Sequence, residues 1–359
     1  MEKFFPYLFI YLVLAGLSLT TLIGEEAKKY QNPFLIFSGL LLATFAGIRS
    51  NSVDPDYKVY NQVFNIIAKG NELHSNMEAG FVFYNKIIST FTSDFSLFLI
   101  VYSISSIFFI IKSAHRFSPF PILSLLLYFV HAYLGRDMIA IRSAFSYAIV
   151  MYAVLEYIHS NSWKKLLVYI FSASLFHVTA LFSLLVIPIC FTYNRLGIKK
   201  FTFILIILTF VLLFLANDYV IFSFFSVILG EKSIVYQTYF LSSTKIFDLG
   251  LLNPVNLKNI LLCVFLYFYC RGSINNERLF AVFSSYSAAL IAFHEFGVVI
   301  ARSAAQIITL DIIIIPIIIS FLNVRERFVA FFGVLLYAML MLTINLSRDG
   351  AYNYSQVLM

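Results

Sequence analysis

The chain of 359 residues is predicted to be an all-α, polytopic integral membrane protein. Hydrophobic residues make up 61% of it, charged residues only 12%, and the mean hydropathy is +0.88, which lies well outside the range of soluble domains. The apolar residues form long runs separated by short connections that carry most of the Lys and Arg. The net charge of +7 is spread over these connections, so it indicates membrane orientation and argues against nucleic-acid binding.

About ten transmembrane helices and one helical hairpin are predicted within a single transmembrane domain, 1–359. The first apolar run follows only one Lys and has no small-residue cleavage pattern, so it is predicted to be a membrane helix and not a removable signal peptide. The predicted spans are Phe4–Ile23, Pro33–Ile48, Phe95–Ile111, Pro119–Leu134, Met138–Ile158, Phe201–Ala216, Leu257–Cys270, Leu279–Phe293, Arg302–Leu322 and Phe328–Leu346.

The predicted hairpin covers 164–200 and carries His177 at its tip. Its apolar run, Leu166–Phe191, is basic on both flanks, with Lys164 before it and Lys199 after it. Because cytoplasmic connections gather basic residues, two basic flanks favour entry and exit on the same side. Each arm then has about 12 to 14 residues, or roughly 18 to 21 Å, which is too short to cross a bilayer.

The same rule predicts which connections lie outside. If the long polar loop 49–94 is outside and the hairpin returns inside, the basic connections fall on the cytoplasmic side and both termini lie outside. A second outer loop then covers 217–256. Short interfacial or re-entrant helices are predicted at Phe81–Phe91 and Val220–Leu229. Any chemistry is therefore expected on the outer face.

The first outer loop offers acids and aromatic residues. It can be a solvated loop with a turn at Pro55, or a sugar site in which carboxylates accept hydrogen bonds from hydroxyls and aromatic rings stack on sugar faces. In the second interpretation one acid, Asp56 or Glu78, could serve as general base. The candidate glycan-binding residues are Arg49, Tyr57, Tyr60 and Phe81.

Two arginines stand near the outer end of a predicted span. Arg136 lies at its start, and Arg142 lies about 4 residues, or roughly 6 Å, inside it. Arg142 can snorkel to the interface, or it can bind the phosphates of a lipid-linked ligand, because guanidinium forks match phosphate oxygens. Arg302 lies at the outer start of a later span, and the same two interpretations, snorkelling or phosphate binding, apply to it.

His177 is a lone histidine in an apolar segment, where a structural role is the more common one. At a hairpin tip it can also act as a general base, since neutral imidazole accepts a proton near pH 7. Asp311 lies deep in another apolar run, either protonated or bonded to another helix. The three cysteines lie in apolar segments without metal spacing, and no metal or cofactor motif is present, so neither is predicted.

These groups, in this order, resemble the Wzy-type, EpsG-like family of bacterial polysaccharide repeat-unit polymerases. The resemblance spans nearly the whole chain, and each of its motifs is weak when taken alone. The matching pieces are Arg49 with Asp56, Tyr57, Tyr60 and Phe64; Glu78 with Gly80 and Phe81; Ile141 to Ala148 around Arg142; Leu175 to Ala180 around His177; and Arg302.

The resemblance implies a fold similar to that of GT-C polymerases and ligases, in the cytoplasmic (inner) membrane with its active site on the periplasmic or extracellular side. It implies transfer of a growing glycan from polyprenyl diphosphate to the terminal hydroxyl of another lipid-linked repeat unit, without a metal. Arg142, Arg302 and Arg136 would stabilise the diphosphate. His177 ranks first as base, before Asp56 and Glu78. The implied partners are the lipid-linked oligosaccharide, the bilayer and a chain-length regulator.

Two other classes of function remain open at this stage. A transporter or flippase of lipid-linked oligosaccharide would have similar hydropathy, but it would more readily show an internal repeat. A membrane O-acyltransferase, or a ligase that moves glycan to another acceptor, is the second alternative. The products that accumulate in a deletion strain discriminate among these functions.

Overall fold

The computed structural model describes residues 4–22, 30–49, 53, 56–71, 77–215, 250–251, 253–294 and 297–347. Within these ranges all regular structure is helical, which confirms the predicted all-α, polytopic fold. The α-helices are α1 Phe5–Thr20, α2 Gln31–Gly47, α3 Tyr57–Ala68, α4 Ala79–Ser89, α5 Phe95–Phe117, α6 Pro121–Tyr128, α7 Ile141–Ser160, α8 Trp163–Ser174, α9 Val186–Leu215, α10 Pro254–Tyr269, α11 Ile274–Ala292, α12 Gly297–Ile308, α13 Asp311–Ser320 and α14 Val324–Leu346.

Several helix starts follow directly from the local sequence. The Asp94 side chain accepts a hydrogen bond from the Ser96 backbone N–H at 2.7 Å, which caps α5. Asn253 caps α10 in the same way, and a proline, Pro254, occupies the first turn. Asn323 begins α14 with a capping box. Each cap satisfies backbone N–H groups that a helix start leaves without partners.

The chain divides into two compact units, which we describe separately. The first comprises 1–157, 164–181 and 312–359. In it α5 packs on α2 and α6, and α6 also packs on α1. A π-helical turn, Phe129–Tyr133, extends α6, and the side-chain amide of Asn345 on α14 donates to its Val130 carbonyl at 2.7 Å. That bond satisfies a backbone group in a turn where the α-helical pattern is interrupted.

The second unit comprises 158–163 and 182–311. Its centre is α11, which packs against α9, α10 and α12. The long helix α9 is interrupted at Gly197, which has φ 70° and ψ 165°. Leu185, before this break, and Leu212, after it, line the same cavity, although 27 residues of straight helix would separate them by about 40 Å. The chain therefore reverses direction at Gly197.

Each predicted span overlaps helix in the residues that the structure describes. Among these residues, five segments are long and apolar enough to cross a membrane by length and composition, and four further apolar helices are shorter. The five are Phe95–Phe117, Ile141–Ser160, Val178–Leu215, Ile300–Ser320 and Val324–Leu346, and the shorter four are Phe5–Thr20, Gln31–Gly47, Pro121–Tyr133 and Pro254–Tyr269.

The predicted hairpin region contains the expected helix break. Helix α8 ends at Ser174, residues 175–177 form a turn, and a 3₁₀ helix, Val178–Leu185, leads into α9. His177 therefore lies in a connection between two helices. The return of the chain to the same membrane side remains a prediction, because the two arms fall in different units.

The predicted first outer loop, 49–94, contains two helices, α3 and α4. The expected short helix Phe81–Phe91 is found as α4, while α3 was not anticipated. The expected helix Val220–Leu229 and nearly all of the predicted second outer loop, 217–256, lie outside the described residues.

Candidate functional site

Three separate parts of the first unit meet at one carboxylate. Glu78 precedes α4, Arg142 lies in the first turn of α7, and His177 lies in the turn after α8. Arg142 Nη1 donates to Glu78 Oε2, and His177 Nδ1 lies 3.3 Å from Glu78 Oε1. Glu78 thus engages a guanidinium with one oxygen and an imidazole with the other.

The close approach of α4 to the His177 turn depends on Gly80. The Gly80 backbone N–H donates to the Leu175 carbonyl at 2.8 Å. A Cβ at position 80 would lie 2.7 Å from that carbonyl oxygen and 2.8 Å from the Leu175 Cβ. Only glycine permits this contact, which sets Glu78 beside His177.

Ser146 ties the same turn to α7. Its hydroxyl donates to the Ala173 carbonyl at 2.9 Å and lies 3.5 Å from the His177 carbonyl oxygen. Ser146 is one helical turn after Arg142, so the two side chains project from the same face of α7. The helix that carries Arg142 therefore also anchors the turn that carries His177.

An aromatic cluster supports Arg142 from the other side. The guanidinium carbon lies 5.9 Å from the Tyr60 ring centroid and 6.0 Å from that of Phe81. Tyr60 and Phe81 contact each other edge to face at 5.7 Å, and Phe81 also meets Tyr102 at 5.8 Å. These rings restrict where the guanidinium can lie.

Arg136 reaches the cluster through a second aromatic residue. Its guanidinium carbon lies 4.4 Å from the ring centroid of Tyr147, whose ring lies 5.8 Å from that of His177. The neighbouring Asp137 is buried and accepts a hydrogen bond from the Tyr128 hydroxyl. Burial raises the pKa of Asp137, although hydrogen bonds to its carboxyl oppose the shift.

Electrostatics keep Glu78 ionised. Burial raises its pKa, but the hydrogen bond with His177 and the charge and hydrogen bond of Arg142 lower it more, so the net pKa is below its ordinary value. The Glu78, Arg142 and His177 side chains are 21%, 27% and 22% exposed. All three side chains are therefore partly accessible to a ligand.

The aromatic residues predicted to bind glycan occupy less accessible positions. Phe81 is 0% and Tyr60 is 3% exposed, so in this conformation their ring faces pack against protein and offer no surface to a sugar. Tyr57 is half-buried, with its ring against Phe95 at 5.0 Å. Of these three rings, only that of Tyr57 is accessible.

Arg49 and Asp56 also differ in accessibility. Arg49 is 2% exposed and donates to the Ala46 carbonyl of the preceding helix, and its contact with glycan stays a prediction. Asp56 is exposed directly before α3, and its backbone carbonyl accepts from Tyr60 N–H at 3.1 Å. Asp56 is therefore accessible, one helical turn before a residue of the Arg142 cluster.

Arg302 belongs to the second unit, where it is exposed on α12. The question that the sequence left open at Asp311 is answered there, because Lys258 Nζ on α10 donates to Asp311 Oδ2. Asp311 is thus ion-paired between two helices. Within the described ranges, no group of three His, Cys, Asp or Glu side chains comes together that could hold a metal ion.

Ser146 and Tyr147 belong to the Ile141 to Ala148 motif, but the sequence did not reveal that they contact the turn that carries His177. Gly80 had been noted as part of a motif, but its close contact with residue 175 depends on a fold that brings together residues far apart in the chain.

Two comparisons with known proteins bear on the chain as a whole. The EpsG family model matches residues 32–356. The amylovoran biosynthesis protein AmsC of Erwinia amylovora is 25% identical over 326 residues, which cover 84% of this chain and 82% of that protein. No solved structure matches the chain. Because the family model spans most of the chain, the protein belongs to the EpsG family.

Proposed function

We propose that this protein is a polysaccharide repeat-unit polymerase of the cytoplasmic membrane. It would transfer a growing glycan from a polyprenyl diphosphate carrier to the terminal sugar hydroxyl of another lipid-linked repeat unit. Three findings support the proposal: membership of the EpsG family, similarity to a protein named for amylovoran biosynthesis, and a polytopic helical fold. The Glu78 cluster supplies the side chains that such a transfer needs.

The observation that carries the proposal is that Glu78 holds Arg142 and His177 together. Glycosyl transfer from a diphosphate needs a base for the attacking hydroxyl and positive charge for the departing diphosphate. A cation and an imidazole fixed by one carboxylate, with all three side chains partly exposed, provide both. Hydrogen bonds with Glu78 and with Tyr60 fix the Arg142 guanidinium in place.

In the proposed reaction, His177 acts through Nε2, because Nδ1 faces Glu78. Nε2 takes the proton from the acceptor hydroxyl as its oxygen forms a bond to the anomeric carbon of the donor glycan. The bond from that carbon to the diphosphate oxygen breaks, and the electron pair leaves with the diphosphate. Arg142 stabilises the resulting negative charge, and Arg136, which lies over the ring of Tyr147, is the second cation.

Glu78 is a positioning residue in this scheme. Its lowered pKa keeps it charged at neutral pH, so it orients His177 and Arg142 and is poorly suited to take a proton itself. Asp56, which is exposed, stays the alternative base, and Arg302 stays a predicted diphosphate ligand. Tyr57 is the best placed of the predicted aromatic residues to contact glycan.

The proposed site lies on the outer face of the membrane. Arg142, Glu78 and His177 share one end of the helix pair α7–α8, and Glu156 lies 14 residues after Arg142, or about 21 Å along α7. Near Glu156 are Arg116 and Lys165, and basic residues of this kind mark the cytoplasmic side. The substrates would reach these three side chains from the outer leaflet.

The test is a gel profile of surface polysaccharide from a strain that lacks the gene. We expect the long polymer to disappear while the one-unit product remains, and the wild-type gene to restore the ladder. Arg142→Ala, at normal protein level in the membrane, should lower polymer by about 100-fold, as expected for loss of a group that stabilises developing charge. An unchanged ladder in the deletion strain would exclude the polymerase, and loss of the one-unit product would point to a transporter.

A further inference from the structure

The ring of Tyr147 lies close to both Arg136 and His177. Its ring centroid lies 4.4 Å from the Arg136 guanidinium carbon and 5.8 Å from the His177 ring centroid. Its hydroxyl lies 3.3 Å from the Thr179 hydroxyl, two residues after His177. The side chain is 6% exposed, so the ring is packed in place and can act as a fixed wall.

The position of Tyr147 on α7 explains why it can reach both neighbours. Arg136 lies in the turn before the helix, and His177 lies in the turn after α8, which Ser146 binds to α7. Tyr147 follows Ser146 directly, so its ring stands beside that anchor point. A cation over an aromatic ring face is attracted by the negative charge density of the face, and this attraction holds the Arg136 guanidinium against the Tyr147 ring.

We propose that Tyr147 is a positioning residue of the glycosyl-transfer site, which sets the location of Arg136 relative to His177. This inference rests on the proposed function. Through Tyr147, the cluster around His177 gains Arg136 as a cation in addition to Arg142. Two guanidinium groups can stabilise the negative charge that a diphosphate leaving group spreads over its two phosphates.

A matched control exists on the same helix. Tyr152 is also buried on α7, a cation lies over its ring, with Lys112 Nζ at 4.4 Å, and its hydroxyl accepts from Arg116 at 3.2 Å. Tyr152 thus resembles Tyr147 in its burial and in its contact with a cation, at a position further along α7. Substitution at Tyr152 controls for the loss of a packed tyrosine and of a cation–ring contact that has no part in the reaction.

The experiment compares Tyr147→Leu, Tyr147→Phe and Tyr152→Leu in the deletion strain, with polymer normalised to the amount of protein in the membrane. Tyr147→Leu should lower polymer about tenfold. Tyr147→Phe retains the ring and should stay within about threefold of wild type, and Tyr152→Leu should do the same. If Tyr147→Leu protein does not accumulate, Tyr147→Met fills the space without a ring face and should show the same tenfold loss.

A double-mutant comparison tests whether Tyr147 acts through Arg136. In an Arg136→Ala background, Tyr147→Leu should lower polymer less than twofold further. A full additional tenfold loss there, or equal losses from Tyr147→Leu and Tyr152→Leu, would overturn the inference. The deletion strain in the same gel keeps the two proposals distinguishable: if it retains the ladder, the proposed function fails, whereas a lost ladder with a normal Tyr147→Leu profile rejects only the role of Tyr147.

Discussion

At each end of the helix pair α7–α8, one carboxylate lies beside two cationic or potentially cationic side chains. Glu78, before α4, is the carboxylate at one end, and Glu156, on α7, is the carboxylate at the other. At one end Glu78 engages Arg142 and His177, and all three side chains are between 21% and 27% exposed. At the other end Glu156 pairs with Arg116 at 2.8 Å and with Lys165 at 3.7 Å. There the carboxylate is 6% exposed, while the cations are 50% and 62% exposed.

The two clusters differ in exposure. Around Glu156 the carboxylate is buried and its partners are largely exposed, so the ion pairs join helices α5, α7 and α8, and we call this cluster a structural clamp. Around Glu78 all three side chains are partly exposed, and one of them is the imidazole that the proposed reaction uses as its base. Under the proposed function, similar charges therefore serve packing at one end and chemistry at the other.

The largest expected contrast comes from neutralising each carboxylate. Glu78→Gln should lower polymer by roughly 100-fold at normal protein level, because His177 loses its orienting anion and Arg142 its partner. Glu156→Gln should leave polymer per protein within a few-fold but lower the thermal midpoint of the purified protein, since it removes the buried half of an ion pair. Equal losses of polymer in both variants would contradict the distinction between site and clamp.

Gly80→Ala should have an intermediate effect. The added methyl group would lie 2.7 Å from the Leu175 carbonyl oxygen, so α4 or the His177 turn must move, and we expect about tenfold less polymer and a lower thermal midpoint. Gly333→Ala in α14 is the control, because a Cβ there meets no atom within 4 Å and alanine favours helix. Normal polymer from Gly80→Ala would show that the close contact is dispensable.

The pH dependence of stability should report the charge of Glu78. Its pKa in the folded protein is below the ordinary value of 4.5, so its stabilising contribution is complete above that value and is lost as the pH falls through the folded pKa. The difference in thermal midpoint between wild type and Glu78→Gln should thus persist from pH 7 to 5 and shrink below about pH 4.5. A difference that already closes between pH 7 and 5.5 would show that Glu78 is not held as a carboxylate.

The smallest effect is expected from Lys165→Ala. Lys165 is 62% exposed and 3.7 Å from Glu156, and exposed pairs of this kind contribute about 0–1 kcal/mol. The thermal midpoint should fall by no more than about 2–4 °C and polymer should be unchanged. Arg116→Ala, which removes the shorter bond, should have the larger effect on stability. A loss of polymer in Lys165→Ala would mean that the clamp controls the site.

Much of the fold and part of the site could be predicted from local sequence. Long apolar runs specify helices because the bilayer core leaves backbone groups no other partner. Arg142 and His177 stood out for a related reason, since a charged or ionisable side chain is costly in an apolar segment and needs a specific environment. Glu78 was only one of several acids in a polar loop, where a solvated position costs nothing.

The sequence by itself determined that this chain is an all-α, polytopic membrane protein and showed which polar side chains stand in apolar surroundings. The tertiary structure decided which of them meet. Glu78 contacts residues 64 and 99 positions away, Phe81 and Tyr60 pack inward beside Arg142, and Gly80 permits the approach of α4 to the His177 turn. Hydropathy acts on each segment alone, whereas these contacts arise from the packing of helices that are distant in sequence, so no local pattern encodes them.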